Sequence, residues 1–248
     1  MSDSILGYAV QYGGYILELA LLVLIMRTGQ WRKRIYVCLY LFLLLSVDAV
    51  GRPLVLHKFG VSSPQYSYFY WMSDVLLILG AFLLVCSLFR RACAGQEKMW
   101  DLLLPTLGAV FALVLGISLA SLHEHYKNLV SVFIVEFQQN LYFACLVLNT
   151  LLYILLQRRE SEDAELAMTV CGLGIQFAGP AANFALVYLA QNNERFWALY
   201  QYLGPLCTIG MLATWFYAVV HVPQPAKVAG KERAPAWASS ALRPEGAK

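Results

Sequence analysis

Seven long apolar stretches constrain this chain more than any other feature of its sequence. A helix needs about 20 mostly apolar residues to cross a hydrocarbon core about 30 Å thick, and only helices and closed barrels satisfy every backbone polar group in lipid. The stretches are too long and too uniformly apolar for barrel strands of about 10 alternating residues. They are Ile5–Met26, Ile35–Leu56, Tyr66–Phe89, Leu102–Leu122, Leu129–Gln157, Leu166–Ala190 and Phe196–His221. The pattern predicts an all-α polytopic membrane protein, a bundle of seven transmembrane helices.

The composition excludes several other classes of protein. Hydrophobic residues make up 60% of the chain and charged residues 13%, with a mean hydropathy of +0.60, whereas a soluble domain carries about 25% charged residues. A water-soluble globule of this size could not bury so much apolar surface. A soluble enzyme, a disordered chain and a nucleic-acid-binding module are therefore excluded, and the lipid bilayer is the first expected partner.

The distribution of basic residues predicts the orientation. The loops after the first, third and fifth stretches and the C-terminal tail hold 14 of the 18 Lys and Arg residues. An excess of Lys and Arg marks cytoplasmic loops. We therefore expect the N-terminus outside and the C-terminus in the cytoplasm, with the chain in the inner (plasma) membrane. The first ten residues lack a basic residue and include Asp3, which is not the pattern of a cleavable signal peptide.

The chain divides into two predicted regions. Residues 1–222 form the seven-helix transmembrane domain. From Pro223 onward, Pro, Ala, Lys, Arg and Ser dominate, and a segment so poor in apolar residues does not fold alone. Residues 223–248 are therefore predicted to be a disordered basic cytoplasmic tail.

Four carboxylates lie inside the predicted spans, namely Glu18, Asp48, Asp74 and Glu136. An acidic residue at the centre of a span costs roughly 2.5–3.5 kcal/mol on insertion scales, so it is expected to face the bundle interior and to have a partner. Asp48 and Arg52 are one helical turn apart and are predicted to pair directly.

Helical phase places further polar side chains on the same faces as these carboxylates in five of the spans. A rise of about 1.5 Å per residue puts most of them in the predicted outer half of the membrane, with Glu18 deeper. We hypothesise that they form an outward-facing polar pocket for a small ligand. The candidate ligand-binding residues are Tyr15, Glu18, Asp48, Arg52, Tyr70, Trp71, Asp74, Glu136, Asn140 and Asn183.

The sequence leaves several roles open for this cluster. The polar groups could only join helices through hydrogen bonds, or they could bind a ligand or an ion. Glu18 or Asp74 could also carry protons in coupled transport. The corresponding functions are a ligand-binding sensor, a small-solute or proton-coupled transporter, and a structural subunit of a membrane complex. The partner is a small polar ligand in the first two cases and another membrane protein in the third, and it is not a nucleic acid.

Motifs of known enzymes are missing from the sequence. It contains no GxSxG, HExxH, GxGD or P-loop pattern, so no catalytic residue is predicted and an enzyme is disfavoured. No metal site or cofactor is predicted: His123 and His125 form only a weak zinc pattern with His57. The six cysteines form no CxxC pair, and Cys93, in a basic loop, is the thiol expected to be exposed.

The first 90 residues resemble an uncharacterised family of bacterial seven-span membrane proteins. The resemblance rests on Glu18, on the segment Trp31–Tyr36 that leads into the second span, on Asp48, and on the aromatic run from Tyr66 to Trp71 followed by Asp74. It implies a bacterial integral membrane protein with seven spans, and it implies no activity.

Overall fold

Helices make up the secondary structure of the described part of this chain. The computed structural model describes residues 2–29, 31, 34–94, 96–121, 129–158, 163–189 and 194–221. The helices are α1 Ser2–Arg27, α2 Ile35–Leu45, α3 Arg52–Phe59, α4 Pro64–Ala92, α5 Glu97–Ser121, α6 Leu129–Arg158, α7 Ala164–Leu189 and α8 Glu194–His221. A π-helical segment, Ser46–Gly51, joins α2 to α3 in one continuous helical rod. The predicted tail, 223–248, lies outside the described residues.

Six helical segments are long and apolar enough to cross a membrane. They are Val10–Arg27, Ile35–Phe59, Pro64–Ala92, Lys98–Ala120, Phe133–Arg158 and Tyr202–His221. The remaining long helix, α7, has 26 residues and contains Gln176, Pro180 and Asn183. The prediction of an all-α, multi-pass membrane protein is therefore confirmed, whereas the number of spans stays a prediction.

A tight turn brings α3 back against α4. Gly60 ends α3 with a φ of 76°, a left-handed conformation that glycine adopts without steric cost. Ser63 then caps α4, because its side-chain oxygen accepts a hydrogen bond from the Tyr66 backbone N–H at 3.1 Å, and Pro64 occupies the first helical position. This turn places the start of α3 beside the first turns of α4.

The helices form a ring around an apolar core. In order around the ring, α1 is followed by the α2–α3 rod, α4, α6, α7 and α8, and α8 packs back on α1. The fully buried core side chains include Leu41, Ile78, Leu141, Phe177 and Met211. Helix α5 lies outside this ring of helices and packs against α6. The aromatic side chain of Phe111 on α5 packs between those of Phe82 and Phe137.

Glycines set the close approach of α7 and α8. A Cβ atom on Gly172 would lie 2.6 Å from Nε1 of Trp215, and one on Gly179 would lie 3.0 Å from Cβ of Cys207. Small residues at helix interfaces are the usual means by which membrane helices pack tightly. Gly172 and Gly179 therefore let α8 pack directly against the backbone of α7.

Large exposed apolar side chains lie on α1, α2, α4, α5, α6 and α8. On α5, Leu102, Leu113 and Ile117 are each more than half exposed. The described part of α7, in contrast, buries Val170, Leu173 and Phe177.

Candidate functional site

The polar residues at the α3 end of the bundle gather around one arginine. Arg52 contacts Asp48 of its own rod through Nη1 at 2.8 Å, and its Nη2 pairs with Asp74 of α4. Its Nε and Nη2 atoms also lie 3.3 Å from the Ser73 hydroxyl. The Arg52 cluster comprises Tyr15, Asp48, Arg52, Tyr70, Ser73 and Asp74. One guanidinium thus bridges two carboxylates from two different helices.

Two tyrosines complete the Arg52 cluster. The hydroxyl of Tyr15 donates to the backbone carbonyl of Asp48 at 2.8 Å and accepts a hydrogen bond from the Gln11 amide at 2.7 Å. This links α1 to the other two helices. The guanidinium carbon of Arg52 lies 4.3 Å from the centre of the Tyr70 ring, a cation–π distance.

The π-helical segment accounts for the position of Asp48. Its wider turn carries Asp48 and ends at Gly51, where an added Cβ atom would lie 3.0 Å from the Phe69 ring of α4. Glycine therefore allows the rod to approach α4 closely enough for Arg52 to reach Asp74. Single π-helical turns inside longer helices occur frequently at functional sites.

Glu18 lies one turn deeper on α1 than Tyr15. It is 3% exposed, and its Oε2 atom has no hydrogen-bond partner within the described part of the chain. Its carboxyl group acts electrostatically on that of Asp48. A buried polar atom without a partner costs free energy, so Glu18 is the group beside the Arg52 cluster with an unfilled hydrogen-bonding capacity.

The other four candidate residues do not contact the Arg52 cluster through any recorded bond. The Asn140 amide donates to the Ser118 hydroxyl of α5 at 3.2 Å. Glu136 is half-buried one turn away on the same face of α6, and it has no recorded hydrogen bond or ion pair to a described residue. Trp71 and Asn183 are also half-buried. The sequence analysis placed Glu136, Asn140 and Asn183 in the same pocket as Arg52. The described contacts do not join these three residues to the Arg52 cluster.

Three amide oxygens of α6 and α7 resemble Glu18 in lacking a partner. They are Oδ1 of Asn149, Oε1 of Gln176 and Oδ1 of Asn183, all buried and without a hydrogen bond within the described residues. The Asn149 amide nitrogen donates to the Val170 carbonyl at 3.0 Å. With a rise of about 1.5 Å per residue, Val170 and Asn183 lie roughly 20 Å apart along α7. These oxygens are therefore distributed along about half of the length of α7.

A second ion-pair cluster, which the sequence analysis missed, lies at the other end of the bundle. Nε of Arg34 contacts Oε1 of Glu165 at 2.8 Å. Arg91 contacts Asp163 at 2.8 Å and Glu165 at 3.4 Å. The Arg34 cluster comprises Arg34, Arg91, Asp163 and Glu165. One feature of the sequence could have indicated this cluster. Asp163 and Glu165 lie at the start of α7, next to a loop that carries basic residues.

The two clusters are separated by about the thickness of a membrane core. A rise of about 1.5 Å per residue puts roughly 27 Å between Arg34 and Arg52 along the α2–α3 rod, and roughly 26 Å between Asp74 and Arg91 along α4. The hydrocarbon core of a bilayer is about 30 Å thick. The α2–α3 rod and α4 therefore each carry charged residues of one cluster at one boundary of the apolar layer and of the other cluster at the opposite boundary.

The remaining sequence expectations concern metals and thiols. In the part of the chain that the structure describes, no three His, Cys, Asp or Glu side chains gather as a metal site would require, and His123 and His125 lie outside that part. The expectation that Cys93 is exposed was wrong. It is 3% exposed because it follows the last turn of α4, and Cys171 on α7 is the exposed cysteine.

Comparisons with models of known protein families, with curated proteins and with solved structures found no match. The resemblance to bacterial seven-span proteins therefore stays a prediction, and only the chain's own residues bear on what it does.

Proposed function

We propose that this chain is a non-enzymatic sensor of the bacterial plasma membrane, with seven spans, its N-terminus outside and its C-terminus in the cytoplasm. A small polar ligand enters from the outer side and binds at the Arg52 cluster and Glu18. The observation that carries the proposal is the buried Oε2 of Glu18, which has no hydrogen-bond partner among the described residues and lies beside a network that joins three helices. A ligand that donates a hydrogen bond to Glu18 changes the contacts among those helices, and a sensor requires such a change on binding.

The charge balance of the site indicates the chemistry of the ligand. Asp48 and Asp74 supply two carboxylates, Glu18 adds a carboxyl group with an Oε2 atom that has no partner among the described residues, and Arg52 supplies the only guanidinium among the contacts recorded there. The ring of Tyr70 already faces one cation. A small molecule with an ammonium group, carrying hydrogen-bond donors for Glu18, suits this excess of negative charge.

The apolar core favours binding over passage through the bundle. Beneath the Arg52 cluster, the described core side chains Leu44, Leu77 and Ile78 are buried. They separate the Arg52 cluster from the charged residues at the other end. A ligand held at one end can shift helices against each other, and a separate partner protein would then transmit the signal.

Ligand binding is tested with the purified chain in lipid nanodiscs. The probes are ethanolamine, choline and a set of free amino acids, each at millimolar concentration, and the readout is the melting temperature. We expect at least one ammonium-bearing probe to raise the melting temperature of the wild type. The Glu18→Gln variant keeps the shape of the side chain but replaces its carboxyl group with an amide, and it should lose this response.

Asp101→Asn serves as the control variant, because Asp101 is an exposed carboxylate on α5, outside the Arg52 cluster. It should respond like the wild type. If Glu18→Gln and Asp101→Asn respond equally, or if no ammonium compound affects the wild type, the proposed site is wrong.

Proton-coupled transport is the second candidate, and the unpartnered amide oxygens along α7 favour it. They extend polar groups beyond the Arg52 cluster, and small rearrangements of α7 would let water reach them. Proteoliposomes with a pH-sensitive dye inside distinguish the candidates. A sensor leaves the internal pH unchanged when a binding probe is added, whereas a transporter changes it in the wild type and not in Glu18→Gln.

A further inference from the structure

A cleft of about 350 Å³ lies between the start of α2 and the end of α4, next to the Arg34 cluster. This volume is at the lower end of the range for small-molecule pockets. Three of the described residues that line it are the arginines Arg34, Arg90 and Arg91, and none of them is acidic. The remaining wall is mainly Tyr36, Val37 and Leu88. The cleft is therefore basic on one side and apolar on the other.

The three arginines differ in how far their hydrogen-bond donors are used. Arg91 directs Nε, Nη1 and Nη2 at Asp163 and Glu165. Arg34 uses only Nε, and its buried Nη1 and Nη2 atoms have no hydrogen-bond partner within the described residues. Arg90 is exposed, with no recorded ion pair to a described carboxylate. Arg34 and Arg90 therefore have whole nitrogen atoms free of recorded bonds, whereas each of the three nitrogens of Arg91 already has an acceptor.

The charges around the cleft do not cancel. Arg34, Arg90 and Arg91 face two carboxylates, Asp163 and Glu165, which leaves one positive charge in excess among these five side chains. The Ser87 hydroxyl also lines the cleft, but it donates to the Leu84 carbonyl at 2.7 Å. An anion in the cleft would thus be held by guanidinium groups, whose planar donors match the geometry of phosphate oxygens.

We propose that this cleft binds the phosphate group of an anionic phospholipid. The cleft lies at the boundary of the apolar layer, where lipid headgroups lie, and basic pockets between membrane helices are typical headgroup sites. The apolar wall of Val37, Leu88 and the half-exposed ring of Tyr36 suits the glycerol and the first acyl carbons. A free phosphate ion has no apolar part that could pack against these side chains. The lipid phosphate also supplies acceptors for the donors that Arg34 leaves unused.

The test uses the full chain in a neutral detergent, with lipid binding counted by native mass spectrometry. The probes are phosphatidylglycerol, phosphatidylcholine and inorganic phosphate. Arg90→Ala removes a donor without breaking a recorded ion pair, so the variant should fold. Arg158→Ala is the control, because Arg158 is exposed in the last turn of α6, does not line the cleft and carries the same charge.

Phosphatidylglycerol should bind the wild type more tightly than phosphatidylcholine does, and Arg90→Ala should weaken its binding roughly fivefold, the factor expected for one basic side chain. Arg158→Ala should bind like the wild type. Inorganic phosphate that competes fully with phosphatidylglycerol would assign the site to a soluble phosphate instead of a lipid. Equal binding of the two lipids, or equal weakening by both substitutions, would overturn the proposal.

Discussion

Arg34 and Glu165 form a buried ion pair between α2 and α7, with 2.8 Å between Nε and Oε1 and side-chain exposures of 3% and 8%. The two residues lie 131 positions apart in the chain. Glu165 also accepts from Arg91 of α4 at 3.4 Å. One carboxylate therefore ties three helices together at this end of the bundle.

Removing both partners should destabilise the fold by less than the sum of the two single removals. Glu165→Ala leaves the Arg34 guanidinium buried and unpaired, which costs about 3–5 kcal/mol for a buried pair. The double variant with Arg34→Ala removes the stranded charge, so its loss should be smaller than the sum of the two single losses. Unfolding of all three variants in mixed SDS micelles measures this coupling free energy, and additive losses would show that the pair does not contribute as a pair.

This pair also shows what could not be predicted from the sequence. Arg34 and Arg91 were interpreted only as markers of cytoplasmic loops, because a sequence does not reveal which helices are neighbours. The Asp48–Arg52 pair was predicted correctly, since both residues belong to one helical turn. Asp74 was expected in the same cluster from its helical phase and its depth, and its contact with Arg52 agrees. Local spacing and depth are readable from sequence, whereas lateral packing is not.

The same reasoning applies to the predicted site residues on α6. Asn140 and Glu136 have the right depth and share a helix face, but that face meets α5, where Ser118 accepts the Asn140 amide. Depth alone could not distinguish a neighbour in the ring from one outside it. The π-helical segment was also not predictable, because Ser46–Gly51 has no pattern that separates it from the α-helices around it.

Arg52 should matter more for stability than either of its acidic partners. Arg52→Ala leaves Asp48 and Asp74 without their shared cation, whereas Asp74→Ala leaves the Arg52–Asp48 contact in place. All three side chains are partly exposed, so we expect losses of about 2–3 kcal/mol for Arg52→Ala and about 1 kcal/mol for Asp74→Ala. Unfolding in mixed SDS micelles ranks the variants. A larger loss for Asp74→Ala than for Arg52→Ala would contradict the bridging role of the guanidinium.

The seven spans that we propose should place the two ends of the chain on opposite sides of the membrane, because seven is an odd number of crossings. Alkaline phosphatase fused after Val61, in the turn between α3 and α4, should be active because this turn is predicted to lie outside. Green fluorescent protein fused at the C-terminus should fluoresce in the cytoplasm. An active C-terminal phosphatase fusion would mean that α7 or another segment does not cross.

Gly172 should tolerate no side chain, because its Cβ position is already occupied by a neighbouring helix. An added methyl group would lie 2.6 Å from Nε1 of Trp215 and 3.2 Å from the Met211 carbonyl oxygen. Trp215 cannot easily move away, since its Nε1 donates to the Thr169 carbonyl at 2.9 Å. Gly172→Ala should therefore lower stability by about 1–3 kcal/mol through overpacking.

The matched control for this substitution is Gly116→Ala on α5, where no atom lies within 4 Å of the added Cβ. Alanine favours a helix over glycine by up to about 1 kcal/mol, so this variant should be as stable as the wild type or more stable. The two variants have the same chemical change and differ only in packing. If both lose stability equally in mixed SDS micelles, the close approach of α7 and α8 does not govern the effect, and the helix order of the ring would need revision.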